Sequence, residues 1–492
     1  MGAPESQRVL VTGATGYVGG RLVPLLLAHG YRVRVLARDR DRLEGRSWLD
    51  RVDLVLGDVL DPVTLPAALD GVDAAYYLVH SMGSHGNFGR RDLRAARNFA
   101  EAAADHGVAR IIYLGGLGRP GTELSEHLRS RQETGAALRE AGVPVTEFRA
   151  SILVGSGSVS FEMIRSLTER LPVMICPRWV YTRTQPIAID DALTYLVAAL
   201  ETPESEGQII EIGGRDVLTY REMMLTYARL RGLWRFIIPV PLLTPRLSSY
   251  WVHLVTPIPS TIAQPLIKGL SVEVIVTDDR ARRLFPQITP MDYESAVARA
   301  LASLDASEVE TSWSDALASS QGDTRPFIFT AQDGMLIERR QCEVDVPASE
   351  VFAEFAVLGG RKGWLAFNTL WRLRGVADRL IGGVGFRRGR RHPVDLRVGD
   401  AVDFWRVEAV EVGRLVRLRA EMKVPGRAWL QFQAETLGST RTRLIQTAFF
   451  APKGLFGLLY WYLLWPVHGF IFSRLIRKLA EGATTRGGHI AP

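Results

Sequence analysis

Arg8-Val9-Leu10-Val11-Thr12-Gly13-Ala14-Thr15-Gly16-Tyr17-Val18-Gly19-Gly20 is the stretch that decides the fold. A short run rich in β-branched residues leads straight into glycines at every third position, and an amphipathic segment, Arg21 to His29, opens directly behind them. That is a strand, a tight turn and a helix start. Gly13 permits the turn, Gly16 lets backbone come close to a pyrophosphate, and Gly19 lets the helix lie against the strand. Helix N–H groups then face the phosphates, with Thr15, Tyr17 and Val18 in the same loop. A glycine-rich structural turn without ligand is the alternative.

Outward from this unit, short apolar runs alternate with helical patterns as far as Arg149, the rhythm of a parallel sheet covered by helices. The expected strands are Arg8–Thr12, 31–38, 54–59, 74–82, 109–114 and 144–149. The second ends at Arg38, with Arg40 and Arg42 close behind, where a site for NAD would carry an acidic residue for the ribose hydroxyls. A guanidinium suits a 2′-phosphate, so NADP is favoured, with NAD the alternative. Asp58, followed by Val59, ends the third strand and is a candidate acceptor for an adenine amino group. Leu78, Val79, His80 and Ser81 end the fourth, at the edge where open α/β sheets bind ligands.

The helix expected over 124–141 carries His127 and Arg131 one turn apart on one face. His127 titrates near neutrality and is a candidate proton donor. Ser151 follows the sixth strand and borders the same edge.

Four features now carry a resemblance: Thr12-Gly13-Ala14-Thr15-Gly16-Tyr17-Val18-Gly19, then Gly57-Asp58-Val59, then Pro186-Ile187-Ala188-Ile189-Asp190-Asp191-Ala192, and Glu211-Ile212-Gly213-Gly214 followed by Leu218-Thr219-Tyr220-Arg221-Glu222-Met223. They span about residues 8 to 225 and resemble the short-chain dehydrogenase/reductase superfamily in its extended or atypical, NmrA-like branch. The resemblance implies a doubly wound Rossmann sheet, an NAD(P) cofactor and a small substrate lobe, expected at about 222–304. Most members place a Tyr and a Lys on the helix after the fifth strand, and a Ser or Thr at that strand's end. Here the helix offers His127 and Arg131, and the strand end offers Gly115 and Gly116. The pattern is similar to atypical members that keep the dinucleotide and lose or replace the catalytic residues.

Residues 234–245 and 250–259 are apolar, aromatic and broken by prolines, which exclude a spanning helix there. Core packing, a lid over an apolar substrate and a surface dipping into a bilayer interface are the three readings. Residues 305–326 read as a linker.

After it the texture changes to long alternating strands, expected as an antiparallel sheet with one wet face. The chain closes with a long aromatic helix from Gly454. Strand, helices, meander and terminal helix resemble the α+β helix-grip fold of START-like domains, in which sheet and last helix enclose an apolar ligand. Gly382-Gly383-Val384-Gly385-Phe386-Arg387-Arg388-Gly389-Arg390-Arg391-His392-Pro393 and Asp403-Phe404-Trp405-Arg406-Val407 resemble an uncharacterised domain fused to atypical reductases. This domain is expected over 327–482, with a flexible tail from 483 to 492. The segment 455–472 is nearly long enough to span a bilayer, but Pro466 and His468 favour a buried gripping helix. Arg387 to Arg391 would suit anionic lipid or a phosphorylated substrate, or form a solvated loop.

Across 492 residues, 60 Lys and Arg against 53 Asp and Glu leave a net charge of +7. That balance fits anionic cofactors or a membrane surface and carries no nucleic-acid-binding signature. Cys176 and Cys342 lie far apart, so no disulfide framework is expected. No metal-ligand spacing and no nucleophile elbow stand out. Residues 1–7 show no signal pattern, so a cytoplasmic protein is expected, with contact at the inner face of the membrane as the alternative. The functional expectation is an NADP(H)-dependent oxidoreductase of an apolar ligand such as a quinone, isoprenoid or lipid. The rival is a catalytically silent dinucleotide-binding sensor or assembly protein. Oligomeric state is left open.

Overall fold

The computed structural model describes residues 7–40, 43, 46, 48–79, 88–118, 125–240, 269–270, 272–302, 327–332, 334–359, 363–364, 374, 378, 396–438 and 440–487. His80, Ser81, Arg42, the segment 250–259, the expected linker and the Arg387–Arg391 cluster lie outside these residues. The chain divides into two compact units, Met1–Gly322 and Asp323–Pro492.

The first unit is built on seven parallel strands: β1 (Arg8–Thr12), β2 (Arg32–Ala37), β3 (Asp53–Leu56), β4 (Ala74–Tyr77), β5 (Arg110–Gly116), β6 (Val145–Ala150) and β7 (Ile209–Ile212). Their order is β3-β2-β1-β4-β5-β6-β7, so the chain reverses direction across the sheet between β1 and β4. Such a switch point is where open α/β sheets bind ligands. Alternation in β1 feeds two cores. Val9 and Val11 pack with Leu22, Val23 and Leu26 of helix α1 (Tyr17–Ala28), whereas Leu10 joins Phe99 and Ala103 of α2 (Phe88–Asp105) on the other face. Each aliphatic side chain fully buried this way contributes about 1.5–3 kcal/mol.

Helices α3 (Glu126–Arg139), α4 (Val159–Arg170), α5 (Ile189–Ala198), α6 (Tyr220–Leu230) and α7 (Tyr293–Ala302) complete this unit. The lobe has its own core, in which Phe161, Met163 and Ile164 of α4 pack with Tyr220, Met223 and Tyr227 of α6. It therefore begins well before residue 222, because α4 is part of that core. The proline-broken segment yields one strand, Phe236–Val240, paired in parallel with Val173–Pro177. Ile237 packs on the lobe core there, whereas Phe236 and Ile238 stay exposed.

The second unit is an antiparallel sheet in the order β8-β9-β14-β13-β12-β11-β10, with β8 (Phe327–Gln332), β9 (Met335–Val344), β10 (Ala401–Val402), β11 (Trp405–Glu411), β12 (Leu415–Ala420), β13 (Gly426–Thr436) and β14 (Thr442–Pro452). Helices α8 (Ala348–Phe355) and α9 (Gly454–Gly487) cover one face, where Phe355 stacks on Phe432 at 5.8 Å. The other face is wet only in part, with Arg419, Arg427 and Glu435 exposed on it. Ile337, Trp429, Ile445 and Phe449 on it are all buried, as their apolar character demands. The strand expected from Asp403 starts two residues later, because Asp403 turns the chain at φ 56° and accepts a hydrogen bond from Trp364 Nε1 at 2.7 Å. Helix α9 runs past the expected end at 482, since Ala483 is packed into the core.

Candidate functional site

The glycine loop sits across the switch point. Gly13 adopts φ +71°, and a Cβ there would lie 2.5 Å from the Leu78 carbonyl oxygen at the end of β4. A Cβ on Gly19 would lie 2.4 Å from the Gly13 carbonyl oxygen, so only glycine lets α1 come this close to β1. Gly16 differs from both: beyond the Gly13 carbonyl oxygen at 3.1 Å, its missing Cβ would meet no atom within 4 Å. Thr15 and Gly16 are exposed at the apex. Gly16 caps α1 without a side-chain bond, and the first turn holds no acidic residue. The N–H groups of that turn are thus available to an anion. The loop fits a dinucleotide pyrophosphate.

Thr12 anchors the arrangement and went unnoticed in the sequence. Its fully buried hydroxyl donates to the Tyr76 carbonyl oxygen at 3.0 Å and accepts from Leu78 N–H at 3.1 Å, tying β1 to β4. Tyr17 reaches away from the loop, so that a Cβ on Gly155 would lie 2.4 Å from its hydroxyl oxygen, and the Arg21 guanidinium lies over its ring at 4.2 Å. Val18 packs on the core. Both residues therefore offer backbone to a ligand.

Arg38 is exposed just past β2 and makes no hydrogen bond or ion pair among the described residues. Asp58 is half-buried past β3, and its Oδ1 accepts from Leu60 N–H at 3.0 Å, which leaves Oδ2 for a further donor. Val59 has its side chain in the core, while Leu78 and Val79 are half-buried beside the loop. Ser151 follows β6, and its hydroxyl donates to the Gln185 carbonyl oxygen. Gln185 in turn donates to the Gly214 carbonyl oxygen at 2.8 Å and accepts from Val276 N–H at 3.0 Å, closing the lobe over the end of β6. A lone Gln between two short strands gave no signal of this in the sequence.

His127 and Arg131 are half-buried on α3 beside the C-terminal end of β5. A Cβ on Gly116 would lie 2.8 Å from Leu128 Cδ2 and 3.7 Å from Arg131 Cβ. A Cβ on Gly115 would lie 3.1 Å from the Oε1 of buried Glu147. Close approach of α3 and Glu147 thus explains why glycines stand where a hydroxyl residue is usual. Tyr113 donates to the Arg131 carbonyl oxygen at 2.9 Å, and burial pushes its phenol up to about 12 against the pull of the Arg131 charge. Tyr113 stays protonated at neutral pH.

The second unit holds a cavity of about 360 Å³ between sheet and α9, walled by Trp405, Leu430, Ala448, Phe450, Trp461 and Phe472 among others. Trp461 stacks on Phe450 at 5.3 Å, and His468 stacks on Phe472 at 5.2 Å. Burial drives the His468 pKa down to about 4, so its ring is neutral. Among the described residues, its Nδ1 and the Nε1 atoms of Trp405 and Trp461 are buried out of reach of water and without a hydrogen-bond partner. Unmet buried N–H groups of this kind are uncommon in folded proteins.

Comparison with known proteins agrees with this geometry. Residues 13–153 match a family described as NAD(P)H-binding, and residues 330–475 match one described as a protein of unknown function, DUF2867. The chain is 31% identical over 242 residues to a ceramide reductase of Caulobacter vibrioides, covering 47% of this chain and 73% of that protein. It belongs, through its first unit, to the NAD(P)H-binding Rossmann family of atypical short-chain dehydrogenases/reductases. It is also 27% identical over 250 residues to a divinyl chlorophyllide a 8-vinyl-reductase of Zea mays, covering 48% of this chain and 62% of that protein. Triphenylmethane reductase of Citrobacter sp. superposes with a TM-score of 0.50 at 19% identity, over 60% of this chain and 99% of that one, and shares the fold.

Proposed function

We propose that the protein is an NADP(H)-dependent reductase of an apolar, oxygen-bearing molecule such as a quinone, isoprenoid or lipid. Its second unit, which we read as START-like, holds or delivers that molecule. The observation that carries the reading is one chain containing both a dinucleotide cradle and an aromatic-walled cavity. Relatives named for ceramide and for a chlorophyllide support an apolar substrate.

The glycine loop and the first turn of α1 would hold the pyrophosphate, Arg38 the 2′-phosphate and Asp58 the adenine. Bound there, the dinucleotide supplies a hydride. Reducing a carbonyl also requires a proton at its oxygen, and the His127 imidazole is the candidate donor. Arg131 keeps its charge at any working pH, so its part is to hold a ribose or an anion.

The test uses the purified full chain. Co-purifying small molecules are identified by mass spectrometry, NADPH and NADH are titrated by fluorescence, and a single turnover of NADPH oxidation is followed after adding a short-chain quinone or the co-purified molecule. Tight NADPH binding with acceptor-dependent oxidation is expected, and His127→Ala should slow oxidation by at least about tenfold at unchanged NADPH affinity. Binding without turnover across the acceptors would favour the silent sensor.

A further inference from the structure

Helix α9 presents two different apolar faces. Leu458, Trp461, Ile471, Phe472, Leu475 and Leu479 point into the core of the second unit. Phe456, Leu459, Leu463, Val467 and Phe470 follow one another at spacings of three and four residues and therefore share the opposite side. They are exposed, Phe456 by 80%, Leu463 by 79% and Phe470 by 60%. Leaving such a row in water is costly, since each large side chain forgoes about 1.5–3 kcal/mol of burial.

The same spacing carries the row from Phe470 to Arg474 and Arg477, both exposed, with Lys478 exposed beside them and paired with Glu481 at 3.4 Å. Lys453 is exposed ahead of the first turn, and Tyr462 and Trp465 are half exposed along the row. No Asp or Glu occurs between Gly454 and Ala480. An apolar stripe with aromatic flanks, basic ends and no acidic residue is complementary to an anionic lipid surface.

We infer that α9 lies in the plane of an anionic bilayer, with its Phe456–Phe470 stripe among the acyl chains and Arg474, Arg477 and Lys478 at the headgroups. Among the described residues α9 is the helix long and apolar enough to cross a membrane. It does not cross, because its inner face is occupied by the sheet core. Val467 belongs to both surfaces: it lines the cavity and is 44% exposed. The cavity thus reaches the surface beside the stripe, and docking brings its mouth to the lipid. The docking stands on the second unit alone and holds whether or not the first unit turns over NADPH.

Flotation of the full chain with vesicles tests it, using phosphatidylcholine alone and phosphatidylcholine with phosphatidylglycerol in equal parts. Leu459→Glu combined with Leu463→Glu is the variant, since both side chains are exposed. Wild type should float with the mixed vesicles, less with phosphatidylcholine alone, and less as salt rises. The double variant should lose at least about tenfold in partitioning, at unchanged NADPH affinity and circular dichroism. A wild type that stays in the soluble fraction overturns the inference. So does equal flotation of the variant, or a stripe that holds two copies together, seen as a dimer by light scattering that the variant dissolves. Flotation without any NADPH oxidation would leave the docking intact and remove the reductase reading.

Discussion

The two candidate sites of this protein are made in opposite ways. In the first unit the site is an absence of side chains: Gly13 and Gly19 let backbone segments approach to distances that a Cβ forbids, and Gly16 keeps the apex clear. In the second unit the site is an excess of side chains, a space of about 360 Å³ left among large aromatic residues that pack on one another around it. A backbone site tolerates no addition and is chemically general, binding whatever carries a phosphate. A side-chain site is tuned by each residue on its wall.

The sharpest way to break the contrast is Gly19→Val. A branched side chain 2.4 Å from the Gly13 carbonyl oxygen must push α1 off β1. It should destabilise the first unit by roughly 3 kcal/mol or more and abolish measurable NADPH binding, while the unfolding transition of the second unit stays put. Calorimetry with an NADPH titration checks both.

The next effect comes from pH and belongs to the second unit. Burial holds the folded-state pKa of His468 at about 4. The unfolded chain, at its ordinary value of about 6.5, therefore takes up the proton first as pH falls. This neutral-ring stability is full above about pH 6.5 and is lost toward pH 4, by up to about 3 kcal/mol. Denaturant titrations at about pH 7 and about pH 5 should show the loss in wild type and not in His468→Phe.

Ala448→Phe sharpens the comparison from the cavity side. Filling the space should reduce retention of the co-purifying molecule at least about tenfold, with up to about 3 kcal/mol of overpacking and no change in NADPH affinity. Mass spectrometry of the purified variant measures the retention. Arg38→Ser is the smallest change: the preference for NADPH over NADH should fall about tenfold, or about 1.4 kcal/mol, in paired fluorescence titrations.

How much of this could be read in advance follows from the same contrast. The strand, the glycines at every third position and the helix stood in sequence order, because a backbone site is built from consecutive residues. The placement of Arg38 and Asp58 past strand ends was legible because strand ends in a parallel sheet share one edge. Thr12 and Gln185 were not, since their partners Tyr76, Leu78, Gly214 and Val276 are distant in sequence and ordinary in type. The glycines ending β5 were noticed as a departure, yet the cause, buried Glu147 and the close approach of α3, exists only in three dimensions. In the second unit, alternation announced the sheet. It did not announce that part of the outer face is buried, although Ile337, Trp429 and Phe449 were there to suggest it. A space between sheet and last helix was implied by the helix-grip resemblance, but its lining was not legible, because empty volume is a property of packing.

The central claim is that the two sites serve one reaction. Stopped-flow oxidation of bound NADPH, in full-length wild type and in Ala448→Phe, tests it most directly. Wild type should oxidise NADPH when an apolar quinone or the co-purified molecule is added, and the variant should do so at least about tenfold more slowly at the same NADPH affinity. Oxidation at the wild-type rate in Ala448→Phe, or NADPH that binds and is never oxidised, would contradict the account.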